Sequence, residues 1–130
     1  MRVLIADDQK SAGIMLATLV ASCGHEVVEV VSSGLEAIHA YTRLRPDVLL
    51  MDYSMPRLNG ATACRHIRSK DPNARVILIS GATLTKEMAE AGAIAILNKP
   101  FQLEQLYAAL YDAGAPVGPK SDLEESKDVM

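Results

Sequence analysis

Aromatic residues are scarce in this sequence: 130 residues contain no tryptophan, one phenylalanine and four tyrosines. Positive charge is scarce as well, because 16 acidic residues outnumber 13 basic ones and give a net charge of −3. Proteins that bind nucleic acids need positive charge to contact the phosphate backbone and aromatic rings on which bases stack. The composition therefore argues against direct binding of nucleic acid.

Cysteine and long apolar runs are equally rare. The two cysteines, Cys23 and Cys64, are too few for a disulfide scaffold and lack the C-x-x-C spacing of metal or redox sites, so free thiols are expected. The apolar run at residues 3–6 is ended by two aspartates before it reaches the length of a signal-peptide core. No stretch approaches the ~18 apolar residues that a membrane span needs. These absences predict a soluble, cytoplasmic protein without membrane insertion.

Apolar residues in general are abundant, at 49% of the chain, and short apolar runs alternate with segments of helical period. The runs lie at residues 2–6, 26–31, 47–51, 75–80 and 93–98. This alternation is typical of a parallel β-sheet whose strands are joined by helices. Residues 48–51 of the third run and residues 76–79 of the fourth are all apolar, as expected for central strands covered by helices on both faces.

The segments between the runs carry signals for helix ends. Apolar residues recur at steps of three and four over residues 12–23, and Gly24 is placed to end that helix. Ser33 and Glu36 have the spacing of a capping box, so a second helix should begin there and end before Pro46. Further helices are expected at residues 60–70, 85–91 and 103–112.

One domain, residues 1–113, accounts for these five strand–helix units. Residues 114–130 contain two glycines and two prolines followed by mostly charged positions, a composition that predicts a flexible acidic tail. No DNA-reading helix is predicted after the domain. Any output is therefore expected to be a change in what this one domain binds, unless the sequence belongs to a longer protein.

Polar residues follow several of the predicted strands. Asp7 and Asp8 follow the first, Asp52 the third and Lys99 the fifth, while Ser80 ends the fourth. In doubly wound α/β proteins, ligands bind at the carboxyl ends of the parallel strands. The carboxylates, the hydroxyl and the ammonium are therefore expected to converge at one edge of the sheet.

Three carboxylates in one place repel one another, and their convergence implies a bound cation. All-oxygen ligands with open positions suit Mg²⁺, which commonly bridges to phosphate. With the metal held by Asp7 and Asp8, a carboxylate oxygen of Asp52 is placed to attack a phosphoryl group and form an aspartyl phosphate. Lys99 and Ser80 are then expected to contact oxygens of that phosphoryl group.

The order of these residues resembles the receiver domain of two-component response regulators. The resemblance covers Arg2 to about Asp112 and rests on the pair Asp7-Asp8, on Asp52 followed by Met55-Pro56 and Asn59-Gly60, on Ser80, and on Lys99-Pro100-Phe101. It implies a doubly wound α/β fold with five parallel strands in the order 2-1-3-4-5, a flavodoxin-like or CheY-like (βα)5 three-layer sandwich.

The resemblance also implies the site and its use. Asp52, Ser80 and Lys99 would be the catalytic residues, and Mg²⁺ would be held by Asp7, Asp8, Asp52 and the backbone carbonyl of Ser54. The donor would be a histidine kinase or a phosphotransfer protein. A single-domain receiver of this kind would signal by binding a downstream protein or by passing the phosphoryl group on, as a monomer or weak dimer. It would be no enzyme beyond its own phosphorylation and dephosphorylation.

Ordinary interpretations exist for each residue alone: Asp8 as a helix cap, Ser80 as a turn hydroxyl and Lys99 as a solvated turn residue. Two other classes of protein share the architecture. A flavin-binding protein would need a cradle for phosphate where Asp7 and Asp8 stand. A magnesium-dependent phosphatase with an aspartate nucleophile would need a second acid two residues after Asp52, at the position of Ser54.

Two departures from the receiver pattern concern switching and lifetime. Receivers commonly have Tyr or Phe three residues before the lysine, whereas this sequence has Ile96, so we expect switching to rely on movement of the loop after Ser80. Ser54 and Ala82 flank the approach of water to a phosphoryl group on Asp52. Because both are small and uncharged, moderate to fast self-dephosphorylation is expected.

Overall fold

The computed structural model describes residues 1–114, in which five strands and five helices alternate along the chain. The strands are β1 (Arg2–Ala6), β2 (Glu26–Val31), β3 (Val48–Asp52), β4 (Val76–Ser80) and β5 (Ala95–Asn98). The helices are α1 (Lys10–Ser22), α2 (Gly34–Leu44), α3 (Gly60–Lys70), α4 (Lys86–Ala89) and α5 (Leu103–Ala113). Apart from Gly114, the predicted tail lies outside the described residues.

The strands form one parallel sheet in the order β2-β1-β3-β4-β5, which confirms the predicted fold class. All four strand pairs are parallel, and β3, the middle strand, pairs with β1 on one side and β4 on the other. β3 and β4 are buried along their whole length, whereas the edge strand β2 is only partly buried. The apolar composition of β3 and β4 up to their last residues, Asp52 and Ser80, follows from coverage by helices on both faces.

Helices cover both faces of the sheet and create two separate cores. On one face, alternate strand residues such as Leu50 and Ile79 pack against α1 and α5. On the other face, residues such as Leu49 and Leu78 pack against α2, α3 and α4. Each fully buried side chain of this size contributes about 1.5–3 kcal/mol to folding. The two cores fix the sheet between its helices and thereby fix the positions of the residues at its carboxyl edge.

Most predicted boundaries agree with the structure to within two residues. β3 extends to Asp52, because the backbone of Asp52 continues in register with Ile79 of β4. Pairing with a buried neighbour thus outweighs the low strand preference of aspartate. The fourth helix is shorter than expected, at Lys86–Ala89, and the fifth strand begins at Ala95 rather than at residue 93.

The predicted helix ends are largely confirmed. Gly24 has a φ of 91° just after α1, a left-handed conformation that glycine adopts without steric cost. At α2, the Ser33 hydroxyl accepts a hydrogen bond from the Glu36 amide, but the Glu36 carboxylate bonds the amide of Ser32 rather than that of the cap residue. None of the helices among residues 1–114 has the length and apolar composition needed to cross a bilayer.

Candidate functional site

The loop after β1 holds two of the predicted acids in different environments. Asp7 is buried, its amide donates to the carbonyl of Val31, and its Oδ1 accepts a hydrogen bond from the amide of Gln9 at 2.9 Å. Asp8 is exposed, and the residue that begins α1 as N-cap is Gln9. The helix-cap interpretation of Asp8 is therefore wrong, which leaves its carboxylate free to face the edge of the sheet.

The carboxylates of Asp7, Asp8 and Asp52 come together at this edge. One oxygen from each lies within 4.8 Å of the others, although Asp7 and Asp8 follow β1 and Asp52 ends β3. Asp7 and Asp52 are buried, at 3% and 4% exposure, while Asp8 is open to solvent. Two buried acids and one exposed acid around a common point form an all-oxygen donor set of the type that binds hard divalent cations.

Lys99 adds a positive charge beside the three acids. Its Nζ lies 3.0 Å from Oδ1 of Asp52, and its side chain is 42% exposed. Lys99 directly follows β5 and precedes a cis peptide bond to Pro100. Its amide donates to the carbonyl of Ser80, so the ends of β4 and β5 are joined where the lysine leaves the sheet.

The pKa of Asp52 is raised above its ordinary value. Burial of the carboxyl group is the largest cause, and the charges of Asp7 and Asp8 act in the same direction. The ammonium of Lys99 opposes them by hydrogen bonding and by its charge. The carboxylate of Asp52 is thus held in a site that disfavours negative charge, and a cation bound there would offset that cost.

Ser80 ends β4 with its side chain buried at 1% exposure. Its hydroxyl is engaged within its own loop: the oxygen accepts a hydrogen bond from the amide of Ala82 at 3.0 Å and donates to the carbonyl of Ala82 at 3.3 Å. A new acceptor at the site would therefore have to draw the hydroxyl away from Ala82.

An open cleft of about 420 Å³ connects these residues. It is lined by Asp8, Gln9, Asp52, Tyr53, Ser54, Ser80, Gly81, Ala82 and Lys99. All the predicted site residues except Asp7 line this cleft. Asp7 lies beside it, with one carboxylate oxygen within 4.8 Å of oxygens of Asp8 and Asp52. Ser54 and Ala82 are exposed in this cleft, so water can reach Asp52 past them.

A second polar cluster beside the site was not predicted from the sequence. The carboxylate of Glu87, on α4, accepts hydrogen bonds from Tyr53, Asn59 and Thr62. Asn59 also caps α3 by accepting from the amide of Thr62. The Asn-x-x-Thr spacing could have indicated the cap, but no sequence pattern indicates that three donors meet on a glutamate of another helix.

Close packing fixes the segment between Asp52 and α3. A Cβ added at Gly60 would lie 2.5 Å from the carbonyl oxygen of Asp52, too close for any other residue without displacing the backbone. The Gly60 amide also donates to the carbonyl of Tyr53 at 2.8 Å. The Asn59-Gly60 pair, interpreted from sequence only as a turn, therefore presses the start of α3 against the end of β3.

Comparison with known families agrees with this geometry. The chain matches the response regulator receiver domain over residues 3–111 and belongs to that family. The chemotaxis protein CheY of Thermotoga maritima is 38% identical over 112 residues, which cover 84% of this chain and 93% of that protein. CheY of Listeria monocytogenes is 34% identical, with 87% and 98% covered.

Solved structures give the same assignment. The receiver domain of the NarL response regulator from Mycobacterium tuberculosis superposes with a TM-score of 0.81 at 28% identity, covering 88% of this chain and 97% of that one. CheY in a CheX–CheY–BeF3–Mg complex from Borrelia burgdorferi has a TM-score of 0.80 at 27% identity, covering 86% and 87%. This chain is therefore a CheY-like response regulator receiver.

Proposed function

We propose that Asp52 accepts a phosphoryl group from a phosphohistidine of a kinase or phosphotransfer protein. The observation that carries this proposal is the buried Asp52 carboxylate, which lies beside two further acids and 3.0 Å from the Lys99 ammonium, at the edge of a receiver fold. A nucleophilic oxygen, an acidic metal-binding pair and a cation for the transferred group are the parts that phosphoryl transfer to a carboxylate requires.

The donor set fits a magnesium ion. Asp7, Asp8 and Asp52 would hold it through carboxylate oxygens, and Ser54, which lines the same cleft, would supply a fourth oxygen from its backbone carbonyl. Bound there, the ion supplies charge neutralisation for the phosphoryl oxygens and for the three carboxylates. Carboxylates are ligands that Mg²⁺ prefers, and the cleft leaves space for water and phosphate.

Asp52, Lys99 and Ser80 have separate roles in the proposed transfer. An oxygen of Asp52 forms the new bond to phosphorus while the bond from phosphorus to the histidine nitrogen breaks, and its electron pair stays on that nitrogen. Lys99, already beside Asp52, meets the charge on the transferred group. Ser80 exchanges its bond to Ala82 for one to a phosphoryl oxygen, which draws the loop after β4 toward Asp52.

The output we propose is protein binding that depends on phosphorylation, or onward transfer of the phosphoryl group, without turnover of a separate substrate. A downstream protein would recognise the rearranged surface. The CheX–CheY–BeF3–Mg complex from Borrelia burgdorferi contains a relative bound to another protein, which supports protein binding as the output. We place the domain in the cytoplasm, where Cys23 and Cys64, both free thiols, stay reduced.

Mass spectrometry after treatment with acetyl phosphate and Mg²⁺ tests the proposal. The wild type should gain one phosphoryl group and Asp52→Asn none. Asp112→Asn is the matched control, because it removes an exposed aspartate far along α5 and should be phosphorylated like the wild type. Phosphorylation that persists in Asp52→Asn would overturn the assignment, and repeated hydrolysis of a phosphate monoester would contradict a role without turnover.

A further inference from the structure

The carboxylate of Glu87 binds three side-chain donors from a different part of the chain. The Tyr53 hydroxyl lies 3.1 Å from Oε1, the Thr62 hydroxyl 3.0 Å from Oε2, and the Asn59 amide nitrogen 3.3 Å from both oxygens. These bonds lower the pKa of Glu87, those from Asn59 and Thr62 most and that from Tyr53 next. The carboxylate is thus held in its charged form by its partners.

The donors stand on a firmly held segment. Tyr53 directly follows Asp52, and its backbone is bonded to Ile79 of β4 at 2.7 Å and to Gly60 at 2.8 Å. Asn59 and Thr62 form the capped start of α3. Because this segment is anchored by backbone hydrogen bonds on both sides, it provides a fixed surface to which Glu87 attaches.

Glu87 lies on α4, which is less firmly anchored than the segment that carries its donors. α4 has only four residues, and the exposed loop 81–85 joins it to Ser80. Its Met88 side chain is buried in the core, and just beyond α4 the buried residue Ala91 accepts a bond from the Cys64 thiol at its carbonyl. Any displacement of the loop after Ser80 is therefore passed to an element whose main polar attachment is Glu87.

We propose that Glu87 is a positioning residue that holds α4 and the preceding loop in the resting arrangement, and that phosphorylation of Asp52 has to act against this attachment. The inference rests on the proposed phosphorylation of Asp52. When Ser80 leaves Ala82 for the phosphoryl group, the loop 81–85 is drawn toward the cleft while Glu87 holds its far end. The strength of the attachment then sets how readily the domain reaches its phosphorylated arrangement.

Two measurements on Glu87→Ala test this role. Hydrogen exchange at the amides of Ala89 and Glu90, which donate to the carbonyls of Thr85 and Lys86, should become roughly two- to fivefold faster, the range expected for losing one charged attachment near the surface. Phosphorylation by acetyl phosphate with Mg²⁺ should become faster by a similar factor. Glu104→Ala is the matched control, because it removes the same charge from the first turn of another helix, and both quantities should match those of the wild type.

A double-mutant cycle of phosphorylation rates, with Tyr53→Phe as the second change, separates a positioning role of Glu87 from general loss of structure. Tyr53→Phe removes one donor and should increase the phosphorylation rate less than Glu87→Ala does, and it should add nothing in the double variant. A Glu87→Ala rate equal to or below that of the wild type, or additive effects of the two changes, would overturn the inference. If the wild type takes up no phosphoryl group, the proposed function fails, whereas the exchange measurement still reports whether Glu87 holds α4.

Discussion

The Lys99 ammonium and the Asp52 carboxylate form a 3.0 Å ion pair that joins β5 to β3 across the intervening strand β4. The pair spans the cleft in which the other acids lie. It partly compensates the burial of Asp52 but leaves the pKa of that carboxyl group above its ordinary value. In the absence of a cation, the charged form of Asp52 therefore lowers the stability of the fold.

The stability of the domain in metal-free buffer should depend on the ionisation of Asp52. A carboxyl group whose pKa is higher in the folded than in the unfolded state makes the fold less stable as the pH rises from the ordinary value of 3.8 through the folded value. Asp52→Asn removes the loss of stability that ionisation of Asp52 causes. The free energy of unfolding of the variant, minus that of the wild type, should therefore increase over that pH interval and then level off. Urea unfolding over a pH series with a chelator measures it.

The control for this pH dependence is Asp112→Asn, an exposed aspartate away from the cleft. The difference of Asp112→Asn from the wild type gives the effect of removing an exposed carboxyl group, and the rise for Asp52→Asn should exceed it over the same pH interval. A difference for Asp52→Asn that shrinks as the pH rises would contradict the assigned direction of the shift.

Magnesium should stabilise the folded protein through the three acids. A ligand that binds only the folded state at one hundred times its dissociation constant adds about 2.7 kcal/mol to the free energy of unfolding. Asp8→Asn removes an exposed carboxylate of the proposed metal site without disturbing the core and should abolish most of this gain. Thermal unfolding with and without Mg²⁺ measures it, with Glu26→Gln, an exposed acid on the edge strand, as control. Equal stabilisation of Asp8→Asn and wild type would exclude this site.

The convergence of Asp8, Asp52 and Lys99 could be predicted because parallel connectivity returns every strand to the same edge of the sheet. The features that could not be predicted depend on contacts between helices or on the backbone conformation at a helix end. The attachment of Glu87 to Tyr53 is one such case, since it requires the relative placement of α4 and α3 rather than a periodic pattern. The N-cap of α1 was also missed, because Asp8 and Gln9 are adjacent and only the backbone conformation distinguishes them.

The phenol of Tyr41 links α2 to the end of α3. Its hydroxyl donates to Oδ2 of Asp71 at 2.7 Å, and burial, followed by this bond, raises its pKa above the ordinary value. Tyr41→Phe should lower the free energy of unfolding by about 1.5–3 kcal/mol, the contribution of a hydrogen bond to a charged group. Tyr111→Phe, at a position 80% exposed, should be neutral in the same urea titration. A neutral Tyr41→Phe would show that the bond contributes nothing.

The two cysteines should differ in reactivity. Burial raises the pKa of the Cys64 thiol to about 11, and the thiol donates to the carbonyl of Ala91, whereas Cys23 is partly exposed. At about pH 8 only roughly one Cys64 thiol in a thousand would be ionised. A thiol-reactive chromophore should therefore label one cysteine in the native protein and the second only on unfolding. Cys23→Ser should lose the native reaction, and rapid native labelling in that variant would contradict the burial of Cys64.

Small residues beside Asp52 should give the phosphorylated protein a moderate to short lifetime. Ser54 and Ala82 are exposed in the cleft and leave space for a water molecule to approach the phosphoryl group. Ser54→Lys leaves the backbone carbonyl in place but adds a long side chain over that approach, so the loss of phosphoryl should slow. Mass spectrometry after removal of the phosphodonor follows the decay in Mg²⁺ buffer. A wild-type half-life of many hours, or an unchanged half-life in Ser54→Lys, would show that water access at this position does not control the lifetime.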